Sequence, residues 1–142
     1  MNRNSWALIA AAIAVLAAAV LGFWNLGSPA RERQIRQDLR TVQALEKLAT
    51  QINQSWNGSN NVLPSDLERF PTSVKQDPTT HAPLVYHPKS GSQYELCATF
   101  LSDDRHTAPE SEAPFWLHPS GAHCFRLDAS VNVPQAPYSY DY

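Results

Sequence analysis

The chain has 142 residues, 43% of them hydrophobic and 17% charged, with a formal net charge of -2. A chain of this length can bury one small core, which excludes an assembly of several domains. The lack of a basic patch interleaved with aromatic residues argues against a nucleic-acid partner. The segment 31–47 has five basic and three acidic residues, and the residues after it have five basic and ten acidic ones. This distribution predicts a basic stalk that leads to an acidic head.

An uncharged run from Trp6 to Trp24 follows a short polar N-terminus over residues 1–5. As a helix that rises about 1.5 Å per residue, the run would span roughly 28 Å, close to the thickness of a hydrocarbon core. Its terminal tryptophans match the aromatic belt of membrane interfaces. We therefore expect a transmembrane anchor over 6–26. A cleaved signal peptide is the alternative, but the run exceeds a usual signal core and continues into bulky Phe23.

A second helix is predicted over 29–57, because apolar residues recur there at intervals of three and four. Pro29 suits the first turn of a helix, and Asn57-Gly58 is a pair that can end a helix in left-handed geometry. We call this element the spine helix. The residues expected to pack it against the head are Leu39, Val42, Leu45, Ala49, Ile52 and Trp56.

Asp38 falls near the middle of the same apolar face, where an unpaired charge is costly to bury. We therefore expect dry packing only from Leu39 onward, with an exposed stalk before it. Three hypotheses account for the carboxylate of Asp38. It forms an ion pair across helices in an assembly, pairs with Arg31 of its own helix, or is exposed on the stalk.

The head is predicted over 58–128 and begins with a short helix. Ser65 and Glu68 form a capping-box pattern, which predicts a helix that ends near Phe70. Residues 129–142 combine prolines and tyrosines without any periodicity. They are therefore predicted to form a disordered tail.

The rest of the head has the alternation and turn chemistry of strands. The predicted strands are residues 84–87, 93–101, 115–118 and 123–128. The fold class expected from all these elements is α+β. It has a single N-terminal transmembrane helix, followed by a long amphipathic helix packed on a small antiparallel sheet.

This layout resembles that of type IV pilins and type II secretion pseudopilins. The resemblance is carried by the two consecutive helices, the Leu-Pro-Ser-Asp-Leu segment 63–67, the Asp77-Pro78 turn and the Pro-Leu-Val-Tyr segment 83–86. Segments 94–98 and 123–125 are similar to an uncharacterised bacterial branch of these pilin-like proteins. The resemblance covers roughly 6–128 and implies a pilin-like fold in the cell envelope.

One feature of that family is missing from the sequence. Pilins have a prepilin-peptidase signature, a glycine before an aromatic residue at the start of the apolar run, with a glutamate at the fifth mature position. Here Gly22-Phe23 lies at the far end of the run, and Gly27 occupies the fifth position. The sequence therefore predicts a chain that keeps its N-terminus and stays tethered instead of polymerising.

Cys97 and Cys124 lie in two predicted strands of one small domain, which favours a disulfide in an oxidising compartment. Arginines between residues 31 and 40 favour a cytoplasmic head by the positive-inside rule. The cysteines and the resemblance favour the opposite topology. We therefore expect a single-pass protein of the inner membrane with its head in the periplasm.

A zinc site is the alternative use of the cysteines. His118 and His123 could join Cys97 and Cys124 as a two-Cys, two-His ligand set, but the spacing lacks a Cys-x-x-Cys pair. The disulfide with two surface histidines is therefore the preferred interpretation.

Calcium is a second metal to consider, because it takes several oxygen ligands from flexible loops. The weak candidates are Asp77, Asp103 and Asp104, together with Glu110 and Glu112. The spacing of these acids matches no regular calcium loop, so a solvated acidic loop is the preferred interpretation. No metal and no cofactor is predicted.

Serine, histidine and aspartate are all present, but no positional signature links them into a catalytic site. The sequence predicts a non-enzymatic, membrane-tethered interaction or scaffold module of the cell envelope. The expected partners are the lipid bilayer and proteins of the envelope or of a secretion system, without nucleic acid. The alternatives are a pseudopilin or minor pilin that polymerises and, with least support, a small envelope enzyme.

Overall fold

A computed structural model of the chain describes residues 3–25, 29–105 and 115–137. Its contacts separate two units, Met1–Glu32 and Arg33–Tyr142. Within the described residues, the helices are α1 (Arg3–Asn25), α2 (Pro29–Gly58) and α3 (Thr72–Lys75), and the strands are β1 (Val85–Pro88), β2 (Gln93–Phe100) and β3 (Gly121–Asp128).

Helix α1 covers the apolar run, and Trp6 and Ile13 on it are each 61% exposed. In the parts of the chain that the structure describes, no helix has both the length and the apolar character needed to cross a membrane. This finding contradicts the transmembrane anchor expected over 6–26, and with it the single-pass part of the expected fold class. Alanine has the highest helix propensity, so an alanine-rich run indicates a helix independently of a bilayer.

Helix α2 is the spine helix, and the side chains on one of its faces are buried in the core. Its buried positions recur at the spacing that an amphipathic helix requires. They are Asp38, Thr41, Val42, Ala44, Leu45, Leu48, Ala49 and Ile52. Of the six residues expected on this face, Val42, Leu45, Ala49 and Ile52 are buried, whereas Leu39 and Trp56 are partly buried.

The buried stripe is therefore rotated by about one position from the expected one. Leu48 is fully buried although it was not among the expected residues, and Ile35 is 41% exposed. The stripe begins at Asp38, which is only 3% exposed. The hypothesis that this carboxylate is exposed on a stalk is wrong.

The sheet is antiparallel, with its three strands in the order β1-β2-β3. One face packs on α2 and completes the core. The sheet residues buried in that core are Tyr94, Leu96, Phe100, Phe125 and Leu127. The Tyr94 hydroxyl donates to Asn53 Oδ1 over 2.8 Å, so a polar contact also fixes the sheet to the helix. The expected α+β combination of a helix on a small antiparallel sheet is present.

The helix expected at Ser65 is replaced by turns. The Glu68 amide donates to Asp66 Oδ1 over 2.9 Å, and the Ser65 hydroxyl donates to Asp66 Oδ2 over 2.9 Å. Short polar side chains compete with helices by such local hydrogen bonds. The helix of this region is α3, which follows Pro71.

The strand expected over 115–118 is also replaced by a turn. Trp116 of this turn is 1% exposed, and its indole Nε1 donates to Pro134 O over 2.9 Å. Ala129 and Ala136 are buried as well. Residues 129–137 therefore pack on the core instead of forming the expected disordered tail, and 138–142 lie outside the described residues.

Candidate functional site

The disulfide predicted from the sequence is confirmed. Cys97 of β2 and Cys124 of β3 lie directly opposite each other, with their Cα atoms 4.0 Å apart. Cys97 is buried, whereas Cys124 is exposed on the sheet face that points away from α2. A bonded sulfur cannot act as a thiolate ligand, so the zinc hypothesis is wrong.

The carboxylate of Asp38 joins α2 to the end of β2. Its Oδ1 accepts the Leu101 amide over 2.8 Å, and its Oδ2 accepts the Ser102 amide over 2.7 Å and the Ser102 hydroxyl over 2.6 Å. Three donors satisfy the buried charge, which explains how it is tolerated at the edge of the core. These contacts replace the ion pair with Arg31 that the sequence suggested.

The carboxylate of Asp77 has an equivalent role before β1. Its Oδ1 accepts the amides of Thr79 and Thr80, each over 2.7 Å, and its Oδ2 accepts the hydroxyl of Thr41 on α2. Burial acts to raise the pKa of Asp77, but the hydrogen bonds from Thr41, Thr80 and Thr79 together outweigh it and lower the pKa. Asp77 therefore holds the chain before β1 in a turn against α2.

Asp103 and Asp104 are engaged in the loop that follows β2. Asp103 Oδ1 accepts from Arg105 Nε over 3.0 Å. Asp104 Oδ1 accepts the His118 amide over 2.7 Å, and its Oδ2 lies 3.5 Å from His118 Nε2. The two segments that flank 106–114 are thereby fastened together.

Two histidines border the same part of the core. His118 is 2% exposed and its ring stacks on Phe100, with the ring centroids 3.7 Å apart. Burial is the main factor that lowers the pKa of His123, with His118 and Arg105 adding to it. Both rings pack against aromatic residues of the core, so the expectation that both histidines are surface residues is wrong for His118.

A calcium site is not assembled from the weak candidates Asp77, Asp103 and Asp104. Within 3–25, 29–105 and 115–137, no group of three or more His, Cys, Asp or Glu side chains is placed to hold a metal ion. Glu110 and Glu112, which were considered with them, lie outside the described residues.

Two open grooves flank the sheet. A groove of about 410 Å³ lies beside the start of β1 and is lined by residues that include Asp77, Pro83 and Leu101. A larger groove of about 660 Å³ is lined by Arg126, Leu127 and Asp128 of β3 together with Phe115, Val131 and Pro134. Phe115 is 42% exposed and Val131 is 59% exposed, so the larger groove presents apolar surface to solvent.

The backbone of β3 can be oriented from the ladder. Lys89 N donates to Gln93 O over 2.9 Å, so the odd-numbered residues of β2 direct their backbone groups toward β1. Even-numbered residues of β2 then bond to odd-numbered residues of β3. The N–H and C=O groups of Ala122, Cys124 and Arg126 therefore point away from β2.

No backbone hydrogen bond between described residues uses these outward groups of Ala122, Cys124 and Arg126. All three residues are exposed. We call this row the β3 edge. The sequence predicts a strand over 123–128 but does not indicate that it forms an edge of the sheet, although residues 121–128 contain no proline or lysine to protect an edge.

Comparison of the chain with protein-family models, with curated proteins and with solved structures gives no match. The resemblance to pilins and pseudopilins therefore stays a prediction from the sequence.

Proposed function

We propose that this chain is a non-enzymatic interaction module of the cell envelope that works outside the cytoplasm. The observation that carries the proposal is the use of its ionisable side chains. Asp38 and Asp104 accept hydrogen bonds from backbone amides of other segments, and Asp77 accepts the amides of its own turn and the Thr41 hydroxyl of α2. Groups used in this way hold a scaffold together, whereas a catalytic group must face its substrate.

The disulfide supports the extracytoplasmic part of the proposal. Disulfides persist in oxidising compartments and are rare where cellular reductants keep thiols reduced. Cys124 is exposed, so reductants would reach this bond directly. A chain that relies on such a cross-link works best outside the cytoplasm.

Exposed apolar side chains support the interaction part of the proposal. Phe115 and Val131 both line the larger groove, and Leu101 and Val85 line the smaller one. Apolar surface in a groove is a common mark of a site for another molecule. A pilin-like envelope scaffold remains the more specific form of the proposal, and it rests on the sequence resemblance.

Photo-crosslinking in cells that produce the protein tests the proposal. A benzoylphenylalanine is placed at Phe115, at Val85 or, as a matched control on the solvent-facing side of α2, at Thr50, and thiols are trapped with acid and alkylated. We expect an oxidised disulfide and a discrete adduct with an envelope protein from Phe115 or Val85, but none from Thr50. Two free thiols, or no adduct at either groove, would contradict the proposal.

A further inference from the structure

We infer that the β3 edge binds an extended segment of another protein by strand addition, with an acidic side chain of that segment opposite Arg126. The inference rests on the proposed function and deepens it, because it names the surface and the chemistry of the partner. An extended peptide that joins a sheet edge bonds through its main chain and gains specificity from alternate side chains.

The backbone provides the first part of the argument. Ala122, Cys124 and Arg126 present three N–H groups and three C=O groups in a row, without partners among the described residues. The alternating donors and acceptors of this row match those of a second strand. The disulfide holds the middle of the row to β2, so the edge is ordered before a partner arrives.

The positive charge of Arg126 supports an acidic residue in the partner segment. Arg126 donates from Nε to Glu95 Oε1 over 3.2 Å, and its side chain is 89% exposed. This contact places Nε of Arg126 beside Glu95 and leaves most of the side chain exposed to solvent. An acidic residue directly opposite Arg126 on an added strand would form a favourable cross-strand pair.

The groove provides the third part. Successive residues of a strand point to opposite faces. If one residue of the added segment lies opposite Arg126 on the outer face, its neighbours point to the inner face, where Phe125 is packed. Phe115 lies there with its ring centroid 5.8 Å from that of Phe125 and is 42% exposed. The expected segment therefore alternates an acidic or polar residue with apolar residues.

The test uses a fluorescein-labelled peptide, Thr-Val-Glu-Val-Thr-Val-Thr, and the full-length oxidised protein in an anisotropy titration. We expect saturable binding. Two further peptides serve as matched probes. One is N-methylated on its odd-numbered residues and the other on its even-numbered residues. One phase blocks the main-chain groups that face β3 and is expected to lose binding, whereas the other leaves them free and is expected to retain it.

Two variants of the protein test the edge: Arg126→Pro changes the backbone and the charge together, and Arg126→Glu changes the charge alone. Arg126→Pro removes an outward N–H and no ladder bond, and we expect it to weaken binding about tenfold or more, since hydrogen bonds and strand fit are both lost. Arg126→Glu keeps the backbone and is expected to reject the glutamate peptide and to accept the same peptide with lysine in place of glutamate. A cooperative melting transition and an unchanged near-UV circular dichroism spectrum in each variant show that the fold is intact.

Several outcomes would overturn the inference. These are the absence of saturable binding, equal binding of the two N-methylated peptides, or a failure of the charge exchange at Arg126. A concentration-dependent dimer of the free protein that Arg126→Pro abolishes would assign the edge to a second copy of this chain and also overturn it. An envelope adduct from Val85 but not from Phe115 would contradict binding at the β3 edge and would leave the proposed function supported.

Discussion

Strands β1 and β3 form the two edges of the sheet, and they differ in length and in what bounds them. β1 has four residues, ends in Pro88 and follows Pro83, whose segment pairs with Gln76 instead of extending the strand. β3 has eight residues and contains no proline. Because unpaired edges invite pairing with other chains, short strands and prolines protect them. The β1 edge is protected by its own sequence, whereas the β3 edge is held by the disulfide and has no backbone partner among the described residues.

Removal of the disulfide should have the largest effect on the difference between the two edges. It closes a loop between residues 27 apart in the sequence, and it joins β3 to the rest of the sheet. Reducing it should lower the free energy of unfolding by about 3–4 kcal/mol on the chain-entropy account. Denaturant titration of oxidised and reduced protein measures this difference.

Amide hydrogen exchange shows which part of the sheet is destabilised when the disulfide is reduced. In the reduced protein we expect faster exchange at Phe125 and Leu127, which bond across the β2–β3 seam, than at Val85 and His87 of the β1–β2 seam. A Cys97→Ala, Cys124→Ala double variant controls for the reductant. Equal acceleration at both seams would mean that the disulfide stabilises the whole head and does not hold β3 specifically.

The Asp77 turn is the next largest contribution and acts on the β1 side. Asp77→Ala removes the acceptor of the part-buried amides of Thr79 and Thr80 and of the buried Thr41 hydroxyl, and we expect a loss of about 2–3 kcal/mol in unfolding free energy. Asp77→Asn keeps the size of the side chain and one carbonyl oxygen, so its loss should be smaller. Chemical denaturation of the two variants gives both values, and equal losses would show that the charge matters more than the shape.

The lowered pKa of Asp77 gives this contact a pH dependence. Its stabilising contribution is fully present above the ordinary aspartate pKa of 3.8, and it is lost as the pH falls through the lower pKa of the folded state. The Asp77→Asn variant should lack this part of the acid transition. An unchanged acid transition in the variant would assign it to other carboxylates.

Much of the spine helix could be predicted from spacing, because a period of 3.6 is a property of the sequence alone. Leu45, Ala49 and Ile52 were placed in the core in this way. The start of the buried stripe at Asp38 could not be predicted, because an unpaired carboxylate is costly to bury in a dry core. Its tertiary partners, the amides of Leu101 and Ser102, lie more than sixty residues away and leave no local pattern.

The disulfide could be predicted because both cysteines fell in strands. The packing of residues 129–137 on the core could not be predicted, because Ala129 and Ala136 are buried without any periodic pattern in the sequence. The expected membrane anchor over 6–26 was wrong although α1 is helical, since alanine-rich composition favours a helix in any environment. The β3 edge escaped notice because the lack of protection in a strand is visible only once its neighbours are known.

Glu95 of the central strand contacts one basic residue near each edge of the sheet, so the two contacts can be compared directly. Lys89, next to β1, lies 3.1 Å from its Oε2, and Arg126 of β3 lies 3.2 Å from its Oε1. The hydrogen bond from Lys89 is the main factor that lowers the pKa of Glu95, with Arg126 contributing less. Contacts between such exposed groups stabilise a protein weakly and are screened by salt.

We therefore expect Lys89→Ala to lower the melting temperature slightly and Arg126→Ala to lower it even less, with both differences vanishing at high salt. They should also vanish in acid. The pKa of Glu95 is lowered, so its contribution is present above the ordinary glutamate pKa of 4.5 and is lost as the pH falls through the folded-state pKa. Glu95→Gln should make the two alanine substitutions equivalent. If Arg126→Ala were the more costly change in low salt, Arg126 would be committed to the sheet and less able to pair with an incoming acidic side chain.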